Sequence, residues 1–569
     1  MNRIIRYSLF FGFLLLISGC ATVVPPEGGP KDSTPPMPVN YSPQNKVRNY
    51  KGQKIEIRFD EFIELKDLNN QLVVSPAMPE DPDISVKGKK LIIKPPDSLE
   101  KNTTYTIFLG NAVVNYTEGL PAGNFQYVLA TGAELDSLRI RGTLRSAFNL
   151  KPADGVLVML YKNANDSTPY KERPYYLSKT YGNGAFVLDN LSEGNYLIFA
   201  LKDLNSNYLY DQPTEEIAFL DSLIIPAPVK PKEDTLDLIH PVILDMFLFT
   251  EIAKKQVISS GKVLAENHLL LTFSKPAENL TLEPVDFPTI EGWSYKVWNS
   301  HRDSLDLWLI GSMPDTLFLK ISENQQVLDT MRFVLRKPKT EQGRRNRRND
   351  TKLPDVEKDD SAKILITRLK IANGGAEVDF FGNPFIRFLT PIRSVNTDKI
   401  QLFKLVDTIK TPIPLTIDTN SLATKAKLTL KAELEESAKY SIFIPDSAVY
   451  DIFGNTNDTA DFSFVTTKKR NYGSLRIAVN HTFAEPILIQ LLNDKDALIH
   501  QVELTDSIIF FPFLKPGNYK IKAILDKNNN KKWDTGDYQK KQLPERVFYM
   551  NEALNIRANW DVEQRWIIE

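Results

Sequence analysis

Cysteine is almost absent: Cys20 is the single one in 569 residues, and there are only five histidines. One thiol excludes a disulfide framework, a Cys-based zinc site and an iron–sulfur cluster. His240, His268, His301, His481 and His500 are scattered and form no His-x-x-x-His or His-Glu-x-x-His pair, so a histidine-held catalytic metal has no motif to rest on. Neither sign of charge predominates. Lys plus Arg number 70 against 71 Asp plus Glu, a formal net charge of −1, which gives no overall pull toward nucleic acid. Past the first twenty residues no apolar run approaches the length of a membrane-spanning helix. A Gly-x-Ser-x-Gly elbow and a Gly-rich phosphate loop are also missing. Adjacent acids such as Glu215-Glu216 and Asp359-Asp360 point to opposite faces of a strand or are solvated on a loop, so nothing marks a glycosidase.

What is present begins with an address. Arg3 and Arg6 precede the apolar run Leu9 to Ile17, which is too short to span a bilayer and has the length of a signal-peptide core. Ile17-Ser18-Gly19-Cys20 follows, and this tetrad resembles the lipobox of bacterial lipoproteins. The resemblance implies cleavage before Cys20 and diacylglycerol on its thiol, which places 1–19 as signal peptide and makes membrane lipid the first partner. Several acyl chains anchor far more firmly than one. Residues 20–36, rich in Pro and Gly, are expected to form an extended tether. No acidic cluster follows Cys20 and Ala21 is not Asp, so the expected location is the outer membrane, in its periplasmic leaflet.

The remainder reads as strands and turns. Ile55-Glu56-Ile57-Arg58-Phe59 and Leu91-Ile92-Ile93-Lys94 alternate apolar and polar residues, runs of four to eight residues are separated by Gly, Pro, Asn and Asp, and no long amphipathic helix interrupts them. This predicts an all-β chain, a tandem array of about five antiparallel sandwiches. The pattern also repeats. Tyr105 to Leu109, Ala112-Val113 and Phe125 to Thr131 recur at nearly the same spacing as Tyr440 to Ile444, Ala448-Val449 and Phe462 to Thr467. After each copy comes a second kind of segment: Gly184-Ala185-Phe186, Gly194-Asn195-Tyr196 and Asp203-Leu204-Asn205-Ser206-Asn207, then later Phe510 to Leu514, Gly517-Asn518-Tyr519 and Asp526-Lys527-Asn528-Asn529-Asn530. The first kind resembles bacterial Ig-like domains of the surface-layer-protein type, through Phe59-Asp60-Glu61, Val74-Ser75-Pro76 and the Asp451-Ile452-Phe453-Gly454-Asn455 turn. The second resembles the transthyretin-like or carboxypeptidase-regulatory-like sandwich, marked by Gly-x-Phe and Gly-x-Tyr. These resemblances imply folds and turns, not chemistry. The expected modules are 37–132 (first, Ig-like), 137–230 (second, transthyretin-like), 240–336 (third, a β-sandwich), 364–468 (fourth, Ig-like) and 471–569 (fifth, transthyretin-like). Residues 337–363, with Arg344, Arg345, Arg347 and Arg348 followed by an acidic half, read as a disordered charged linker. That basic half also suits anionic headgroups.

Two constellations are candidate sites. Asp526, Asn528, Asn530, Asp534 and Asp537 set side-chain oxygens at the spacing of a Ca²⁺ loop, although Gly is missing from the sixth position and the last acid is Asp. Asp203, Asn205, Asn207 and Asp211, followed by Glu215 and Glu216, begin the same way. The same residues equally describe Asx-turn loops. Trp293, Tyr295, Trp298 and Trp308 could form a binding platform, or line the inward face of a sandwich.

Three functional classes follow. The leading one is a non-enzymatic envelope scaffold or adaptor that binds another envelope component, protein rather than glycan. The alternative is a glycan-binding or glycan-processing accessory, and the third is a hydrolase with residues dispersed among loops. Beyond possible Ca²⁺ no cofactor is expected, and nucleic acid is not an expected partner.

Overall fold

A computed structural model describes residues 32–228, 242–285, 291–335, 363–364, 377–388, 390–419, 427–552 and 554–569. Cys20 and the charged segment 337–362 lie outside the described residues. The chain divides into two compact units: Met1–Arg145 with Pro152–Tyr210 and Ala218–Met246, and Ser146–Lys151 with Asp211–Ile217 and Phe247–Glu569.

In the first unit, alternation builds the first module. Ile55, Ile57 and Phe59 are buried while Glu56 and Arg58 point away, because successive side chains on a strand take opposite faces. Pro38–Ser42, Ile55–Phe59, Lys90–Lys94 and Asp83–Lys87 form a four-stranded sheet in that order, and Val73–Ser75, Thr104–Gly110 and Phe125–Ala130 form a three-stranded one. Their inward residues meet in one core, with Ile57, Leu91 and Ile93 against Tyr105, Ile107, Tyr127 and Leu129.

The second module pairs Leu138–Ser146 with Ala185–Leu191, and Leu157–Tyr161 with both Tyr176–Lys179 and Leu197–Lys202, all antiparallel. Gly184 explains its Gly-x-Phe motif: φ is +75°, and a Cβ there would overlap the Leu144 carbonyl, so only glycine fits. Hydrogen bonds reach across one expected boundary. The strand Ile243–Thr250 starts beyond 240, where the sequence places the third module, yet Arg141 N donates to the Val242 carbonyl (3.2 Å) and Thr143 Oγ1 to Asp245 (2.8 Å). Its first residues, up to Met246, therefore go with the second module. Its alternating pattern would suit either sandwich, and only the hydrogen-bond ladder chooses.

In the second unit, the third module has a four-stranded sheet (Ile258–Ala265, His268–Phe273, Ser304–Leu309, Ser294–Trp298) and a three-stranded one (Leu280–Pro284, Thr316–Glu323, Gln326–Val334). A leucine-rich core joins them. The fourth module is built around Gln401–Val406, Lys439–Ile444 and Ala460–Thr466. The fifth sets Gly473–His481 between Ile508–Leu514 and Asp561–Ile568, over a core that includes Ile477, Ile489, Ile521 and Phe511. Here Asp561–Ile568 runs parallel to Gly473–His481, a departure from a purely antiparallel sandwich. The long intervening chain permits it, since parallel neighbours need a crossover of a dozen or more residues.

The sequence repeat is matched bond for bond. In the first module Glu100 N donates to Tyr105 Oη (3.0 Å) and Thr131 Oγ1 donates to the Glu100 carbonyl (2.6 Å). In the fourth, Glu435 N donates to Tyr440 Oη (2.8 Å) and Thr466 Oγ1 to the Glu435 carbonyl (2.5 Å). Such a tyrosine corner ties a strand to the preceding turn. In the second and fifth modules the Gly-x-Tyr tyrosine folds back instead: Tyr196 Oη donates to the Ser192 carbonyl (3.1 Å) and Tyr519 Oη to the Lys515 carbonyl (2.8 Å).

Candidate functional site

The third module separates the four candidate aromatics by strand register. Trp298 lies opposite Leu305 on the neighbouring strand, and directly opposed residues share a face. Leu305, Leu307 and Leu309 are fully buried, so Trp298 turns to the core, with its ring 5.8 Å from that of Phe273. Trp293, just before the strand, packs against the same core. Tyr295 lies opposite Trp308, and Trp308 opposite His268. These three cross adjacent strands on the outer face. The His268 imidazole stacks on Trp308 with ring centres 3.8 Å apart and planes at 11°, and its Nε2 lies 2.7 Å from Asp306 Oδ1. Four aromatics close in sequence thus become two core residues and two members of a half-buried outer strip. Sequence reasoning missed His268 as the third member, because only pairing across strands brings it to Trp308. Among the described residues no Ser or Cys bonds to this imidazole.

The Asp526 loop is held by its own polar groups. Asp526 is fully buried; its Oδ1 accepts from Asn530 N (3.0 Å) and its Oδ2 from Lys531 N (2.8 Å). Asn530 Nδ2 donates to Asp534 Oδ2 (2.7 Å), as does Asn528 Nδ2. Asp537 points elsewhere, accepting from Lys540 N (3.1 Å) and pairing with its ammonium (3.2 Å). A carboxylate absent from the sequence reading anchors the loop instead. Buried Glu545 accepts from Lys527 N (2.8 Å) and Asp534 N (3.0 Å). Burial pushes its carboxyl above the usual range, and the charges of Asp534 and Asp526 add to the effect. Its contribution could have been suspected only from an acid next to an apolar run, a weak signal. Asp203 behaves similarly in the other unit, accepting from the backbone of Asn205, Ser206 and Tyr208. Among the described residues no group of three or more His, Cys, Asp or Glu is arranged to hold a metal.

With both arrangements in view, comparison with known proteins adds one assignment. Residues 32–129 match the family of bacterial Ig-like domains. This segment takes in the whole two-sheet core of the first module. No curated protein matches the chain. Among solved structures, the major pilin subunit BcpA of Bacillus cereus is 9% identical over 75% of this chain and 98% of its own, with a TM-score of 0.15. The S-layer protein SbsC is 10% identical over 84% of this chain and 64% of its own, with a TM-score of 0.14. The Corynebacterium diphtheriae major pilin SpaA is 9% identical over 76% of this chain and all (100%) of its own, also with a TM-score of 0.14. Likeness at that level carries nothing about activity or about how modules are arranged.

Proposed function

We propose that the chain is a non-enzymatic, lipid-anchored scaffold or adaptor of the bacterial cell envelope. Acylated Cys20 holds it in the periplasmic leaflet of the outer membrane, and its sandwich modules engage an envelope protein. One observation carries this reading: the polar side chains that stand out by spacing, Tyr105, Tyr440, Tyr196, Tyr519, Asp203 and Asp526, are engaged in tying turns to strands. A chain that spends its conspicuous polar groups on rigidity, without converging them on one reactive point, suits a spacer better than a catalyst. Replacing Cys20 by Ala is expected to move the protein from the membrane fraction to the soluble one. Crosslinking on intact membranes, followed by mass spectrometry, is expected to join sandwich-module lysines to one envelope protein. Unchanged membrane retention of the Cys20→Ala protein would end the anchor reading, and an absence of crosslinks would end the adaptor reading.

The half-buried strip Tyr295, Trp308 and His268 favours a second reading, glycan binding through the third module. Loss of glycan retention in Trp308→Ala, with folding intact, would support it. Calcium at the Asp526 loop is a subsidiary proposal that rests on the Asp-x-Asn-x-Asn spacing of the sequence.

A further inference from the structure

The first unit contains a cleft of about 280 Å³ that the scaffold reading does not use. One wall is the outer face of the three-stranded sheet of the first module, carrying Phe108 and Gln126 at one level of the ladder. The other wall is the second module, with Tyr181, Arg139 and Asp189. The walls are fixed to each other. Leu177 N donates to Ser75 Oγ (3.1 Å), Asn190 Nδ2 to Thr106 Oγ1 (2.8 Å), Ala77 N to the Tyr175 carbonyl (3.1 Å) and Lys179 Nζ to the Asn70 carbonyl (3.0 Å). The cleft is therefore built into the unit and does not depend on a mobile loop.

We propose that this cleft binds a carbohydrate, one or two sugar rings of a neutral or singly acidic glycan. Its chemistry selects that class. Arg139 and Asp189 form a two-pronged pair, Nη2 to Oδ2 at 3.0 Å with Nε on the other oxygen, and this presents a flat edge with both donors and acceptors. The side-chain amides of Asn124 and Gln126 each offer a donor and an acceptor and have no hydrogen-bond partner among the described residues. Phe108 and Tyr181 meet edge to face with centres 6.3 Å apart, which gives an aromatic surface for the C–H face of a ring. Burial pushes the Tyr181 phenol up, so it stays a neutral donor at physiological pH. An apolar ligand would strand these polar groups at a desolvation cost, and a polyanion would meet the Asp189 carboxylate. Two cations, Arg139 and Lys179, against the one carboxylate Asp189 leave room for a single acidic group. The volume is at the small end of ligand clefts, as a short glycan segment requires.

The test uses the whole chain, with glucose, galactose, mannose, N-acetylglucosamine, galacturonic acid, maltose, lactose and chitobiose as probes at about 20 mM, read by saturation-transfer NMR and calorimetry. At least one probe is expected to bind with a Kd of about 1 mM or below. Asn124→Ala and Gln126→Ala change exposed side chains and leave the core alone. Each is expected to weaken that binding about three- to ten-fold, the worth of one hydrogen bond, while Ser85→Ala, on the other sheet of the first module, leaves it unchanged. No saturation transfer from any probe, or binding that ignores both substitutions, would overturn the proposal.

Discussion

Lys522 shows how one residue can weaken a well-packed module. Its side chain is 1% exposed, and its ammonium lies 3.3 Å from the ring centre of Phe148 and 6.0 Å from that of Tyr549. Burial pulls its pKa down to about 8, with Asp496 acting in the opposite sense. An unfolded lysine titrates near about 10.4, so between about pH 8 and 10.4 the unfolded chain binds more protons and stability rises with pH. Below pH 8 the penalty is complete. Lys522→Met is therefore expected to raise the unfolding free energy at pH 7 by about 2 to 3 kcal/mol and to lose that advantage near pH 10, as measured by urea unfolding at both pH values. A variant less stable than the parent at pH 7 would show that the ring contact outweighs desolvation. Asp496 has the opposite sign. Lys151 (2.8 Å) and Lys520 (2.6 Å) hold its carboxyl down to about 2. Its contribution is present above the unfolded value near about 4 and is lost as pH falls from there toward 2. Asp496→Asn should flatten the acid limb of the stability curve in that window.

At the scale of elements, the repeated hydrogen bonds make a comparative prediction. Tyr105→Phe and Tyr440→Phe each remove the acceptor of one turn amide, Glu100 N or Glu435 N. Each is expected to destabilise its module by about 0.5 to 1.5 kcal/mol, the worth of one part-buried hydrogen bond whose donor can turn to water. If one loss were several-fold larger in denaturant titrations, the corners would not be equivalent despite their matching geometry. The Asp526 loop makes a second prediction. If the ion binds there, calcium at millimolar concentration raises the melting temperature of the protein, because a ligand taken only by the folded state stabilises it by mass action. Asp534→Asn removes a charge while leaving an acceptor for the two asparagine amides, so it should reduce that rise. Without any calcium-dependent shift the loop is a self-capped Asx turn.

For the whole molecule, the expectation rests on composition. Residues 337–363 carry Lys and Arg in close succession and almost nothing that packs, so limited trypsin digestion should cut there first and leave two resistant pieces. The proposed function, in its tethered-adaptor form, asks this segment to act as a flexible tether, for which random-coil scaling at that length gives a root-mean-square span of about 25 to 30 Å. Early cuts inside the sandwiches, with this segment intact, would remove the tethered-adaptor element from the proposed function. Mass spectrometry of the first fragments decides between the two.

Much of the fold could be read from local order, because strand periodicity and turn chemistry depend on neighbours a few residues apart. Ile55 to Phe59 alternated in sequence and alternates in burial; Gly184 marked a turn that only glycine can make; Asp451 marked one that its carboxylate caps through Phe453 N and Asn455 N, both at 2.9 Å. The repeat was legible for the same reason, since its spacing is set within single modules. Pairings between strands far apart in sequence were not legible. Register alone sent Trp298 to the core and set Tyr295, Trp308 and His268 side by side, and packing brought Trp293 against that core. Pairing alone tied Val242 and Asp245 to the second module, and packing alone put Glu545 under the Asp526 loop and brought Asn124 and Tyr181 to the lining of one cleft. An alternating strand specifies which of its residues go inward but not which sheet receives them, and that choice belongs to the tertiary structure.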